Sequence, residues 1–282
     1  MPAHPFRIVN VFTFNRGSLT GNPLCVFERG GGFDAQVMQE LARQFNLSET
    51  TFILPSAQAD ARVRIFTPAY EMPFAGHPTL GTAHVCRALG LGGDSLRLEM
   101  QAGIINVSAH GDRWTLTGPV PTWREVGEPR GVLAQALGLD EGDIGDRPLW
   151  VKGGKEQLVV PLRSTEAVRR AAPKPESLRN IRSEDGIGMA YVFAFDSAGT
   201  ALARFFFPRG AAILEDPATG SATVNFGGWC LAMQMKLPLQ LKISQGEFVG
   251  RPSSLHLQVN AERSILVGGD VVELGRGTID LD

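Results

Sequence analysis

Two segments of this 282-residue chain combine an ionisable side chain with a predicted helix start. His77 opens the heptad HPTLGTA, and Asp216 opens the related heptad DPATGSA. An imidazole and a carboxylate can bind or polarise the polar groups of a substrate. Both residues could instead be ordinary helix N-caps. Asp is favoured at an N-cap and His is not, so the chemical interpretation is stronger for His77.

A third candidate, Glu49, lies between a predicted helix and a predicted strand, in the segment NLSETTF (46–52). The neighbouring Leu47 and Phe52 would shield its carboxyl partly from water. A partly buried carboxyl can serve as a proton shuttle. The alternative is a solvated turn residue, which is the more common position of a lone Glu. Glu215, beside Asp216, could be merely a surface charge near a helix start.

The elements that would position these residues occur twice in the chain. The segments RIFTP (64–68) and RFFFP (204–208) each follow an apolar strand, and each precedes one of the two heptads. A helix that opens on the Pro of each heptad would leave its first N–H groups without partners. Small residues such as Gly81 and Gly220 would let a ligand approach the backbone there. Such helix starts favour an anion, for example a carboxylate.

Composition and charge exclude other classes of protein. The chain is 43% hydrophobic and 20% charged, and with a net charge of −2 it has no basic footprint that would argue for binding of nucleic acid. Its three cysteines form no CxxC pair, which argues against a zinc site or a disulfide framework and favours a reducing, cytoplasmic setting. The uncharged segment 217–235 is predicted to be a buried helix rather than a membrane span, because it contains glycines and polar residues.

The motif GPVP (118–121) is the clearest break in the middle of the chain. We place a boundary there, which gives a first half at 1–118 and a second half at 119–282, with a C-terminal strand that could return to the first half. Strands and helices are predicted in both halves. The predicted helices cover residues 34–46, 78–89, 130–137, 165–172 and 217–235.

Taken together, these motifs resemble the PhzF-like family of isomerases from phenazine biosynthesis. The resemblance implies an α+β fold of the diaminopimelate-epimerase type: two pseudo-symmetric halves, each a curved β-sheet wrapped around a central helix. It also implies a homodimer that uses no cofactor and no metal. The matching segments run over nearly the whole chain: GNPLCVF (21–27), NLSETTF (46–52), RIFTP (64–68), PFAGHP (73–78), EDPATGSA (215–222), QG (245–246), GRPS (250–253) and GRGT (275–278).

The resemblance also implies roles for the candidate residues. Glu49 would be the general acid/base that moves a proton between carbons, and His77 and Asp216 would bind and polarise the substrate. The name-giving reaction of the family isomerises trans-2,3-dihydro-3-hydroxyanthranilate, a small carboxylated substrate. Donors to the carboxylate of the substrate would come from Gly76, Gly220 and Ser221.

Two other functions stay open from the sequence. One is an amino-acid-type epimerase or racemase of the same fold, and the other is a non-catalytic protein that binds a small carboxylate. Cofactor-independent racemases of this fold use a cysteine at each helix start, whereas Cys25, Cys86 and Cys230 are predicted to be buried apolar residues. Arg64 and Arg204 are predicted to form structural pairs with carboxylates, although an arginine that faces a cleft could bind the acid group of a substrate.

Overall fold

The computed structural model describes residues 3–197 and 199–281. These residues form two compact units. The first contains the described residues up to Thr117 together with those from Gly268 onward, and the second runs from Gly118 to Val267. The segment from Gly268 onward, which contains the C-terminal strand that could return to the first half, belongs to the first unit. It does so because the last strand pairs with the first strand of the chain.

The described residues of the first unit contain two α-helices, of which only the second is central. Helix α1 (Ala35–Phe45) begins as predicted, because the Asp34 side chain accepts a hydrogen bond from the Val37 N–H. It ends at Asn46, which adopts the left-handed conformation. The strands before Gly118 are β1 (Ala3–Val11), β2 (Asn22–Phe27), β3 (Thr50–Leu54), β4 (Ala61–Phe66), β5 (Glu71–Met72), β6 (Ser95–Met100), β7 (Gly103–His110) and β8 (Arg113–Thr117).

The strands of the first unit surround helix α2 (Gly76–Ala88). Nine of its thirteen residues are buried, and it packs on β1, β2, β3, β4, β6 and β8. A side chain at Gly81 would meet Val9, Val11 and Leu24, so glycine is needed for this close packing. The helix begins at Gly76 rather than at the predicted Pro78.

The second unit repeats this plan around a second central helix. The remaining helices of the chain are α3 (Arg130–Leu137), α4 (Thr165–Arg170), α5 (Pro175–Asn180) and the central α6 (Gly220–Ala232). The remaining strands are β9 (Thr122–Glu125), β10 (Leu149–Gly153), β11 (Lys155–Pro161), β12 (Ala190–Ser197), β13 (Thr200–Arg209), β14 (Ala212–Asp216), β15 (Leu239–Gln245), β16 (Ser253–Val259) and β17 (Ile265–Asp280). Twelve of the thirteen residues of α6 are buried, and the helix packs on β9, β10, β11 and β16.

Helix α6 is shorter than the predicted span of 217–235. It begins at Gly220 and ends at Ala232, and Pro217 lies outside it, before the N-cap residue Thr219. The segment after Asp216 instead forms a short connection that is held by side chains of its own unit. The prediction that the second helix opens on proline is therefore wrong.

Strand pairing shows the same order of directions in both units. From β1 to β7 the pairs are antiparallel, parallel, antiparallel, parallel and antiparallel, with β5 added to the side of β4. From β10 to β16 the order is identical, with β14 added to β13. The α+β fold with one central helix in each half is as predicted.

The structural repeat differs in register from the repeat read in the sequence. Arg64 lies opposite Phe52 and Arg204 lies opposite Val192, which agrees with the sequence match. Past these strands, however, the hairpin from β13 to β14 is longer than that from β4 to β5: Phe206 pairs with Glu215, and Phe66 with Glu71.

This longer hairpin changes which residues correspond at the two helix starts. Gly220 is the first residue of α6 and Gly76 is the first residue of α2. His77 therefore corresponds to Ser221, and Asp216 lies before its helix. The sequence match of His77 with Asp216 is thus out of structural register.

Candidate active site

Glu49 lies in the connection between α1 and β3, directly before the buried Thr50. Thr50 pairs with Cys25 on one side and with Phe66 on the other, so the start of β3 is fixed between two strands. The side chain of Glu49 is only 16% exposed. The carboxyl is therefore partly shielded from water, and the alternative of a solvated turn residue is wrong.

His77, the second residue of α2, lies beside Glu49. Its Nε2 atom is 3.5 Å from Glu49 Oε2, and its side chain is 7% exposed. A ring N–H of His77 also hydrogen-bonds to the backbone carbonyl of Pro23. Two of the three predicted chemical residues are thus neighbours, although they are 28 positions apart in the chain.

Burial determines the charge of His77. Desolvation lowers the pKa of its imidazole from 6.5 to about 3, and the hydrogen bond to Pro23 only partly opposes this. His77 is therefore neutral at physiological pH, and its contact with Glu49 is not an ion pair. A neutral imidazole can polarise a substrate group without adding a positive charge beside the carboxyl.

We expect His77 to make stability fall at acid pH. The unfolded chain takes up a proton on His77 below pH 6.5, whereas the folded chain does so only near pH 3. Stability from the neutral imidazole is therefore complete above about pH 6.5 and is lost as the pH falls. Between pH 7 and pH 5 this residue should lower the free energy of unfolding by about 2 kcal/mol.

Denaturant unfolding at pH 7 and pH 5 measures this effect. His77→Gln should lose less stability than the wild type over this range. The control is His110→Gln, because His110 is exposed on β7. An identical loss in the wild type and His77→Gln would contradict a neutral buried imidazole.

The start of each central helix carries backbone N–H groups without a side-chain cap. The N-cap residues are Ala75 for α2 and Thr219 for α6, and neither accepts a hydrogen bond from its helix through a side chain. The alternative interpretation of His77 and Asp216 as N-caps is therefore wrong. Uncapped N–H groups and the helix dipole make both starts suitable for an anion.

Asp216 ends β14, and its own unit holds it in place. Its Oδ2 accepts a hydrogen bond from Thr219 Oγ1 at 2.5 Å. Gln245 Nε2 donates to the backbone carbonyl of Asp216 at 2.9 Å and to Thr219 Oγ1 at 3.1 Å. The QG motif has no role that its sequence alone reveals, and the structure shows that Gln245 holds the segment between β14 and α6.

Gly246 packs tightly against the same segment. It has φ +80°, and a Cβ atom there would meet the backbone carbonyl oxygens of Arg251 and Pro217. We expect Gly246→Ala to displace the segment after Asp216 and to lower kcat/KM by about 10²-fold. The control is Gly250→Ala, because Gly250 also has a positive φ (+66°), but a Cβ atom there would meet no described atom within 4 Å. Equal losses of kcat/KM in the two variants would show that backbone strain alone causes the effect, and would contradict a specific role for the contact of Gly246 with the segment after Asp216.

Gly220 and Ser221 are the first two residues of α6. Gly220 is buried and Ser221 is half-buried. Ser221 Oγ accepts a hydrogen bond from Gln157 Nε2 at 3.3 Å. In the first unit, Gly76 occupies the same position at the start of α2 as Gly220 does in α6. The small residues predicted to bind a carboxylate thus lie at the uncapped helix starts.

The two arginines of the repeat form the predicted pairs with carboxylates. Arg64 donates to Glu71 and Arg204 donates to Glu215, each at 2.7 Å. The side chain of Glu215 is 7% exposed, so its interpretation as a surface charge is wrong. The pair is buried because β14 lies beside β13 and directs Glu215 at Arg204.

The cysteines are buried, as predicted. Burial raises the pKa of the Cys86 and Cys230 thiols to about 12, and it raises that of Cys25 further. Thiols of this kind are poor acids and bases near neutral pH. Within the described part of the chain, no group of three or more His, Cys, Asp or Glu residues has a geometry that could hold a metal ion.

In the residues that the structure describes, no helix is both long and apolar enough to cross a membrane. The long apolar segment that begins at Pro217 is accounted for by α6, which is central in its unit.

Comparisons with known proteins place this chain among isomerases. An uncharacterized isomerase from Pasteurella multocida is 35% identical over 98% of this chain and 94% of its own length. The trans-2,3-dihydro-3-hydroxyanthranilate isomerase of Pseudomonas chlororaphis is 34% identical over 99% of this chain and its full length.

The fold comparison agrees with the sequence comparison. A crystal structure of a phenazine biosynthesis protein of the PhzF family from Bacillus anthracis matches all of both chains, with a TM-score of 0.87 and 24% identity. The model of the family described as "Phenazine biosynthesis-like protein" matches residues 9–277. The chain therefore belongs to the PhzF-like family of isomerases.

Proposed function

We propose that this protein is a cofactor-independent isomerase that moves a proton between carbons of a small carboxylated substrate. The observation that carries the proposal is the contact between Glu49 and His77. A shielded carboxyl and a neutral imidazole lie 3.5 Å apart, next to an uncapped helix start. The relatives named trans-2,3-dihydro-3-hydroxyanthranilate isomerase, at 32–35% identity, support this compound as the substrate.

Glu49 is the general acid/base in this proposal. As a carboxylate it removes a proton from one carbon of the substrate, and as the resulting acid it returns a proton to another carbon. One group can perform both steps if the substrate stays in place between them. The side chain of Glu49 is 16% exposed, so its proton can exchange with water between the two steps.

His77 and Asp216 bind and polarise the hydroxyl, amino or carbonyl groups of the substrate. His77 acts as a neutral group. Asp216 accepts hydrogen bonds from an amino or hydroxyl group. Gly76, Gly220 and Ser221 donate to the carboxylate through backbone N–H groups and, for Ser221, a hydroxyl.

Turnover of trans-2,3-dihydro-3-hydroxyanthranilate by the purified protein tests the proposal. We expect its absorbance to fall at a rate that saturates with concentration and survives a thiol-alkylating reagent. Loss of turnover on alkylation would favour a two-thiol epimerase instead. Saturable binding with no exchange of solvent protons would favour a carboxylate-binding protein. No consumption of the compound would overturn the substrate assignment.

A further inference from the structure

Two buried side-chain amides in the second unit are linked to Ser221 by hydrogen bonds. Gln157, on β11, is 2% exposed, and Asn225, on α6, is fully buried. Neither residue belongs to a motif that the sequence marks as functional. Buried amides are costly unless their donors and acceptors are paired, so the direction of each hydrogen bond carries information.

The backbone determines how Asn225 is oriented. The Gly153 N–H donates to Asn225 Oδ1 at 2.6 Å, and Asn225 Nδ2 donates to the Lys155 carbonyl at 3.0 Å. Both backbone groups belong to the tight turn between β10 and β11. A backbone N–H can only donate and a carbonyl can only accept. The amide of Asn225 therefore cannot be reversed without losing both bonds.

Asn225 in turn determines the orientation of Gln157. Asn225 Nδ2 donates to Gln157 Oε1 at 2.7 Å. This contact places the oxygen of the Gln157 amide toward Asn225 and its nitrogen toward Ser221. Gln157 Nε2 then donates to Ser221 Oγ at 3.3 Å. A chain of hydrogen bonds with one direction thus runs from the backbone to Ser221.

This direction decides what the Ser221 hydroxyl can do. Its oxygen accepts a hydrogen bond from Gln157, and an amide NH₂ cannot accept one in return. The Ser221 proton must therefore be donated elsewhere. Ser221 is half-buried beside the uncapped N–H groups of α6, so this proton adds to donors that favour an anion.

We propose that Gln157 and Asn225 are positioning residues that make Ser221 a donor to the carboxylate of the substrate. This inference rests on the proposed function, because it assumes that the carboxylate binds at the start of α6. The donor role of Ser221 also explains selectivity. A carboxylate accepts hydrogen bonds from Ser221 and from the helix N–H groups, whereas the NH₂ group of an amide at that place would bring a further donor against these donors.

One test needs no substrate. In the ligand-free protein, the side-chain amide signals of Gln157 and Asn225 are observed by ¹⁵N NMR. We expect both to exchange slowly with solvent, and we expect Ser221→Ala to shift the Gln157 signal. Fast exchange, or a Gln157 signal that Ser221→Ala leaves unchanged, would overturn the chain of hydrogen bonds.

A double-mutant cycle tests the effect on binding. The Kd for trans-2,3-dihydro-3-hydroxyanthranilate is measured calorimetrically in the Glu49→Gln background, where turnover does not consume the compound. Ser221→Ala should raise Kd roughly 10- to 100-fold, and Gln157→Met roughly 3- to 10-fold. Added to Ser221→Ala, Gln157→Met should change Kd by less than roughly twofold, because its effect passes through Ser221. The control is Gln258→Met, because Gln258 is exposed on β16.

A merely structural role for Gln157 predicts a different outcome. Gln157→Met would then raise Kd by the same factor with or without Ser221, and that result would overturn the proposal. If Gln157→Met does not fold, Asn225→Asp replaces it, since loss of the Nδ2 donor allows Gln157 to reverse and to accept the Ser221 proton. Kd should again rise only when Ser221 is present. If the compound does not bind at all, the proposed function fails, while the amide signals still decide whether Gln157 orients Ser221.

Discussion

Replacing Glu49 by Gln is expected to lower kcat by about 10²–10⁴-fold or more, because the proton would lose the group that carries it. The amide has nearly the same size as the carboxyl and can occupy the same shielded place between α1 and β3. Its contact with His77, now at 3.5 Å, should persist. KM should change little, because binding of the carboxylate uses other residues.

Two measurements make this result specific to Glu49. Glu40→Gln is the matched control, because Glu40 is exposed on α1 of the same unit and should keep wild-type kcat. The midpoint of thermal unfolding should be nearly the same for both variants. An active Glu49→Gln enzyme would refute the assignment of Glu49 as proton carrier.

Replacing Arg204 by Met is expected to lower the free energy of unfolding by about 3–5 kcal/mol. Arg204 and Glu215 have side chains that are 10% and 7% exposed, so the variant leaves a carboxylate buried without its cation. Arg204 Nη1 also donates to three backbone carbonyls, those of residues 168, 169 and 171. Met retains the length of the apolar stem, which limits the effect to the lost charge and hydrogen bonds.

The internal repeat supplies the control for this prediction. Arg64 forms the equivalent pair with Glu71, but the two side chains are 19% and 20% exposed. Arg64→Met should therefore cost only about 1–2 kcal/mol, because water can solvate Glu71 in part. Denaturant unfolding of both variants measures the difference. Equal losses would show that burial of the Arg204 pair does not determine its contribution.

The fold was largely predictable because its pattern is local and occurs twice. The strand that contains Arg64 and the strand that contains Arg204 have similar sequences, and they lie at equivalent positions in the two units. The cap at Asp34 and the left-handed end at Asn46 follow from residue types alone. Helix α5, with Pro175 at its start, is not predicted, because a segment of six residues is too short to show a helical period of apolar residues.

The register at the helix starts could not be predicted. His77 and Asp216 each precede a proline, and a comparison of the two heptads aligns them for that reason. The correspondence of His77 with Ser221 depends on the length of the hairpin that follows Arg204, and that length is set by strand pairing. Hydrophobic period and turn residues do not determine how far such a hairpin extends.

The types of the candidate residues were visible in the sequence, but their surroundings were not. Glu49 and His77 are neighbours only because β3 and α2 pack together. Gln157 and Asn225 are 68 positions apart, and nothing local marks them as hydrogen-bonded. The partner of Glu215 lies on another strand, so the segment around Glu215 does not reveal that its carboxylate is paired and buried. Contacts between distant segments are the information that a single sequence lacks.

We propose Glu49 as the group that carries a proton between carbons of a carboxylated substrate. The most direct measurement follows trans-2,3-dihydro-3-hydroxyanthranilate in deuterated buffer, with the wild type and Glu49→Gln side by side. We expect the wild-type product to carry deuterium at the carbon that gains the proton, and we expect Glu49→Gln to form no labelled product. Labelled product from Glu49→Gln at the wild-type rate would contradict it.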